Sequence, residues 1–259
     1  FLSFFTLLTI YPVLNIISVS IRTDNAFQTR TLAFIGENSG LDIYLQLFTE
    51  TPFFLWLRNS LIISIVVTLL GVVLASTSAY ALSRYRFKGR QFGMISLLTT
   101  QMFPATMLLL PFFILLSKLS LINSFTGLAI IYSSTALPFC IWQMKGFYDT
   151  ISPSLEESAC LDGCNQFQAF YKIVLPLSTP ALVITALFSF MSSWSEYVVA
   201  AIILQDPELY TLPLGLKSFQ SSLATEWGLY AAGAVVISIP VVVLFISLAR
   251  FLVSGLTMG

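Results

Sequence analysis

Apolar residues in this chain come in long unbroken runs and hardly ever in alternation. The opening FLSFFTLLTIYPVLNIISVSI is the first of six such runs, at about 1–21, 54–82, 92–117, 125–144, 178–204 and 228–253. A bilayer's hydrocarbon core, about 30 Å thick, asks for about 20 apolar residues of helix, and each run approaches or exceeds that length. The runs are too long and too little alternating for barrel strands, and backbone amides in hydrocarbon must bond within their own segment. All six are therefore expected to be transmembrane helices. Pro104 and Pro111 in the third, Pro138 in the fourth and Pro240 in the sixth are expected to kink them, because a proline nitrogen donates no bond and crowds the preceding turn.

The loops orient these spans. After the second run the chain reads SRYRFKGRQ, which sets Arg84, Arg86, Lys88 and Arg90 in a short connection, the strongest positive-inside signal present. That loop is expected in the cytoplasm. Alternation then places 22–53, 118–124 and 205–227 outside, and 145–177 with both termini inside. The acidic bias of the first outer loop, with Asp24, Glu37, Asp42 and Glu50 against Arg22 and Arg30, agrees. The opening run has no basic leader and no small-residue cleavage site, so it is read as a truncated first span rather than a signal peptide.

Between the fourth and fifth runs lies a different kind of segment, at 149–176. Ser152 followed by Pro153, or Ser154 followed three residues on by Glu157, can start a short helix. It runs to about Asp162, and Gly163 supplies the positive φ at which helices commonly end. A second short helix is expected to follow, with Phe167, Phe170, Tyr171 and Val174 on one apolar face and Pro176 at its end. The pair is amphipathic, too short to span, and on the cytoplasmic side. By itself it reads equally as a plain interfacial helix.

Composition narrows the chemistry. Hydrophobic residues make up 57% of the 259 positions and charged ones only 9%, against roughly 25% charged in soluble domains. Twelve basic and twelve acidic side chains cancel, which gives nucleic acid nothing to bind. Cys140, Cys160 and Cys164 are too few for a disulfide framework or a zinc site. With no His in the chain, a Ser–His pair or a His-based metal site cannot form, so an intramembrane enzyme is disfavoured. There is no GxxxxGK[ST] phosphate loop, so any ATP hydrolysis must come from another chain. In the fifth run Trp194, Glu196 and Tyr197 are candidates for a solute path or gate. Trp194 has a face for stacking on a sugar ring or a place in an interfacial aromatic belt, and Glu196 is either functional or a solvated acid near the outer interface.

Within 149–176, Glu157, Ser158, Ala159, Asp162, Gly163, Ile173, Leu175 and Pro176 fall on the spacing of the EAA loop, with Ser158 where that pattern has Ala. The chain thereby resembles the permease subunits of ATP-binding-cassette importers. Asn59-Ser60, SAYALSRYRFKGR, Trp194-Ser195-Glu196-Tyr197, TLPLGL at 211–216 and the terminal SGLTMG are similar to the smaller six-span permease of the maltose-type carbohydrate family. The resemblance implies an all-α membrane domain, a bacterial-type inner-membrane location, and a coupling helix seated in a groove of a cytoplasmic ATPase. It implies as partners a second homologous permease, an ATPase dimer carrying ATP and Mg, an extracytoplasmic solute-binding protein, and the lipid bilayer. The solute would be a sugar, oligosaccharide, glycoside or polyol, and the 205–227 loop would face the binding protein. A secondary transporter or channel without an ATPase is the competing reading.

Overall fold

In a computed structural model that describes residues 2–22, 39–220 and 225–256, the chain is helical throughout, and among the described residues the only β pairing is two isolated bridges, Arg22 with Ser39 and Gln220 with Thr225. The helices are α1 (Leu2–Ser20), α2 (Asp42–Thr49), α3 (Phe53–Arg84), α4 (Arg90–Gln101), α5 (Leu109–Lys118), α6 (Phe125–Thr150), α7 (Pro153–Leu161), α8 (Gln166–Ala169), α9 (Leu175–Leu177), α10 (Thr179–Trp194), α11 (Val198–Ile203), α12 (Leu212–Lys217) and α13 (Trp227–Leu256). A five-residue π-turn, Phe170–Val174, joins α8 to α9.

Three of these are long and apolar enough to cross a bilayer as continuous helices: Phe53–Arg84, Phe125–Thr150 and Trp227–Ala249. The first run is a shorter apolar helix, Phe4–Ser20. The third expected helix differs from the sequence reading, because 92–117 is not one kinked rod. It is two helices meeting at 97° across a break that holds Pro104 and a 3-10 turn, Ala105–Leu108. Pro104 ends the first half, since the ring bars its own amide from the ladder and pushes Phe103 out of helical geometry. Pro111 does no breaking. It lies in the first turn of α5, where its missing N–H leaves no bond unmade. The fifth expected helix is also interrupted, with α10 stopping at Trp194 and α11 resuming at Val198. Pro138 and Pro240 lie inside continuous helices.

The chain divides into two compact units, Phe1–Ser60 with Leu204–Val243, and Leu61–Ile203 with Leu244–Gly259. In the first, the start of α3 is bonded to the segment that leads into α12. Asn59 Nδ2 donates to the carbonyls of Glu208 (2.8 Å) and Tyr210 (3.0 Å), and the Leu212 amide donates to Ser60 Oγ (2.7 Å). Gly215 of α12 rests on the Trp56 ring, where no side chain would fit.

The second unit is built on α6. Ser124 caps it, accepting from the Gly127 amide at 3.1 Å. Its inward positions Leu128, Ile131, Ala136, Cys140, Met144 and Tyr148 recur at helical spacing and pack along α10 and α4. Gly71 lets α3 approach Ser189 of α10 so closely that a Cβ there would collide. A single core joins α3 (Ala75, Ala79), α6 (Cys140, Ile141, Met144, Tyr148), the π-turn (Phe170, Val174) and α10 (Ala181).

Candidate functional site

The segment between α6 and α10 is shaped by its own sequence at every boundary. Ser152 begins α7 in extended conformation, its Oγ accepting from the Ser154 amide at 3.4 Å, and Pro153 occupies the first helical position. Gly163 ends it at φ +94°. There the Gly163 amide bonds to the Cys160 carbonyl (3.1 Å) and the Cys164 amide to that of Ala159 (2.9 Å), the paired bonds that close a helix on a left-handed residue. Asn165 then opens α8 with a reciprocal cap: its Oδ1 accepts from the Gln168 amide (2.8 Å), and Gln168 Oε1 accepts from the Asn165 amide (2.9 Å). With side-chain caps at Ser152 and Asn165 and backbone bonds closing the Gly163 turn, α7 and α8 form a stiff elbow.

Its two faces differ. Ala159, Ala169, Phe170 and Val174 are buried, while Glu157, Ser158, Asp162, Gly163 and Pro176 are exposed and Ile173 and Leu175 are partly covered. The four-residue apolar face read from the sequence is corrected here. Phe170 and Val174 point into the core, but Phe167 and Tyr171 are 75% and 63% exposed. The π-turn, whose i→i+5 bonds take more than 3.6 residues per turn, breaks the helical spacing from Phe170 on, so Tyr171 falls off the buried side; Phe167, ahead of the turn on α8, is exposed as well. The second helix also does not end at Pro176. That proline sits in the first turn of α9, and the chain bends at Ser178, where the two helical arms meet at 78°.

The inner face of the elbow carries charge that the sequence reading passed over. Glu156, and not Glu157, turns inward and meets Arg84 and Tyr80 at the end of α3. Rings of Tyr80, Tyr148 and Phe170 cluster beside them, Tyr80 and Phe170 with centroids 4.5 Å apart. The two glutamates are adjacent, and only the tertiary position of Arg84 tells them apart.

The second candidate group lies apart from the elbow, at the α10–α11 break. Trp194 is 2% exposed and stacks on Phe190 at 5.3 Å, so it offers no ring face to a solute in this structure. Glu196 serves the backbone. Its carboxylate accepts from the amides of Val198 (2.9 Å) and Val199 (3.1 Å) and from the Tyr132 hydroxyl of α6 (2.8 Å), which holds the interrupted helix in register. Tyr197 is exposed. In α12, Leu212, Leu214 and Leu216 are buried, while Lys217 and Ser218 are exposed. Among the described residues no cluster of His, Cys, Asp or Glu has the arrangement of a metal site.

Comparison with known proteins places these features in a family. The model described as binding-protein-dependent transport system inner membrane component matches residues 67–257. The chain is 37% identical to the maltodextrin transport system permease protein MdxG of Bacillus subtilis (strain 168), over 100% of this chain and 93% of that protein. It is 36% identical to the galactooligosaccharides transport system permease protein GanQ of the same organism, over 100% and 92%. A crystal structure of a bacterial ABC transporter involved in the import of the acidic polysaccharide alginate matches with a TM-score of 0.84 and 26% identity, covering 96% of this chain and 92% of that one.

Proposed function

The chain belongs to the family of binding-protein-dependent transport system inner membrane components, and from that premise we propose that it forms half of the translocation path of an ATP-driven importer and couples ATPase motion to alternating access. The observation that carries this reading is the shared core. Phe170 and Val174, at the α9 end of the elbow, are packed with residues of α3, α6 and α10, so a shift of that end is passed on to the helices that would line the path. Glu157, Ser158, Asp162, Phe167 and Tyr171 are exposed on the elbow. Together they form a mixed acidic and aromatic surface suited to a protein groove.

The partners follow from this division of labour: a second permease completes the path, an ATPase dimer binds ATP and Mg and engages the elbow, and an extracytoplasmic binding protein delivers solute. The solute class is a sugar or oligosaccharide, by similarity to relatives that carry maltodextrins and galactooligosaccharides. Six crossings with both termini in the cytoplasm fit the loop charges, with α4–α5 and α10–α11 as interrupted spans.

Purified alone, the chain is expected to hydrolyse no ATP. Expressed with the second permease and the ATPase, it is expected to copurify with both. Hydrolysis by this chain alone, or uptake driven by an ion gradient in ATP-depleted vesicles, would return the secondary-transporter reading.

A further inference from the structure

The backbone joins the elbow to α10 through Pro176 and Ser178. A second connection runs sideways. Arg84, the last residue of α3, donates from Nε to Glu156 Oε1 at 2.5 Å, and the two side chains are only 13% and 12% exposed. Tyr80, one turn earlier, donates its hydroxyl to Glu156 Oε2 at 2.5 Å. The other guanidinium nitrogens donate to the carbonyls of Tyr148 (3.1 Å) and Ile151 (2.9 Å) at the end of α6. Carbonyls at a helix C-terminus lack partners within the helix and sit at the negative end of its dipole, which suits a planar cation with several donors. One arginine thus ties α3, the end of α6 and α7 together.

Resting on the coupling reading above, we propose that Arg84 and Glu156 are positioning residues of energy coupling, a clasp that delivers displacement of α7 laterally into α3 and α6. Stability alone is a poor reason for burying this pair, because well-packed apolar residues commonly stabilise as much as a buried ion pair or more. What the pair adds is direction. Charge-assisted bonds hold a fixed geometry under load, whereas apolar contacts slide. The flank of α7 is also open, with a cavity of about 630 Å³ lined by Tyr80, Arg84, Glu156, Cys160 and Gln166. Across that gap α7–α8 is held to α3 by the clasp and by the Tyr85 hydroxyl on Gln166 Oε1 at 2.9 Å.

The test uses the whole complex in lipid vesicles, with the second permease and the ATPase dimer. Spin labels are placed on cysteines replacing Leu155, exposed on α7, and Val73, exposed on α3, with Cys160 and Cys164 changed to serine. The distance between labels is measured with and without Mg-ATP in the otherwise unaltered chain, in Arg84→Ala, in Glu156→Gln and in the double variant. With the clasp intact, α7 and α3 are expected to move together, so Mg-ATP changes the distance by less than the ~2 Å typical of packed helices sliding. In each single variant the resting distance is expected to be unchanged, but Mg-ATP should shift or broaden it by several times that ~2 Å, with the double variant no worse than either single. Arg84→Lys, which keeps the charge and loses the fork, should fall between. Three results overturn the clasp: variants that respond to Mg-ATP like the parent, variants already broadened at rest, or effects that add in the double variant. Failure of the underlying reading looks different, as an ATPase that does not copurify with the parent chain at all.

Discussion

Gly163 and Glu156 show what single positions decide here. A Cβ built on Gly163 meets nothing within 4 Å, yet its φ of +94° is costly for any other residue, by about 1–2 kcal/mol. Backbone conformation alone therefore limits substitution, and the side chain's tolerance of that region sets the order. Gly163→Asn is expected to keep most solute uptake, since Asn visits left-handed backbone readily, while Gly163→Val should abolish uptake with membrane levels unchanged. Uptake normalised to immunoblotted membrane protein is the measurement, and equal loss in the two variants contradicts it. Glu157→Lys should also abolish uptake by reversing charge on the exposed face, and Ser158→Ala should be close to neutral. The glycine was legible in the sequence because a cap and a stop about one short helix apart are local signals. The inward turn of Glu156 was not, because adjacent helix positions point about 100° apart and the choice depends on Arg84, 72 residues away.

Periodicity carried the elements only as far as the period held. The apolar stripe expected through Phe167, Phe170, Tyr171 and Val174 failed, since the chain between Phe170 and Val174 turns with i→i+5 bonds that no residue pattern announces. The exposed pair, Phe167 and Tyr171, leaves the elbow with an aromatic outer surface, and its cysteines report on whatever covers it. Cys160 is exposed, Cys164 half-buried and Cys140 buried. Differential alkylation of the permease pair, with and without its ATPase, should show strong protection at Cys160 and no reaction at Cys140 in either state. Equal labelling of Cys160 with the complex intact would make the elbow a membrane-surface helix. The π-turn also makes residue number matter more than residue type. Removing one residue from it would rotate α8 by about 100° against α10 and turn the outer surface away from its partner.

For the molecule as a whole, the run pattern was enough to read a multi-pass helical protein with a pair of short helices between α6 and α10. Interruptions inside the runs were not legible, because an exposed Pro104 stands at a helix break while a buried Pro138 and a partly buried Pro240 lie inside continuous helices, and burial is not written in the local sequence. Topology is open to direct test. Ser218 is exposed beside α12, and a cysteine there is expected to react with a membrane-impermeant thiol reagent from the outside only; labelling confined to the cytoplasmic side would invert the arrangement. Ser221, equally placed by the sequence reading, lies outside the described residues. The break between α4 and α5 has one more consequence. The twelve residues of α4 climb only about 18 Å, well short of the roughly 30 Å of hydrocarbon, so on the six-span reading the helix end near Gln101 is expected at oil depth. Gln101 itself spends its amide on the Thr135 carbonyl of α6 at 2.9 Å. Lipid tails cannot solvate the remaining groups. On that reading the subunit has a heading in the plane of the membrane: the break at Met102 and Phe103 is expected to face protein or water rather than lipid.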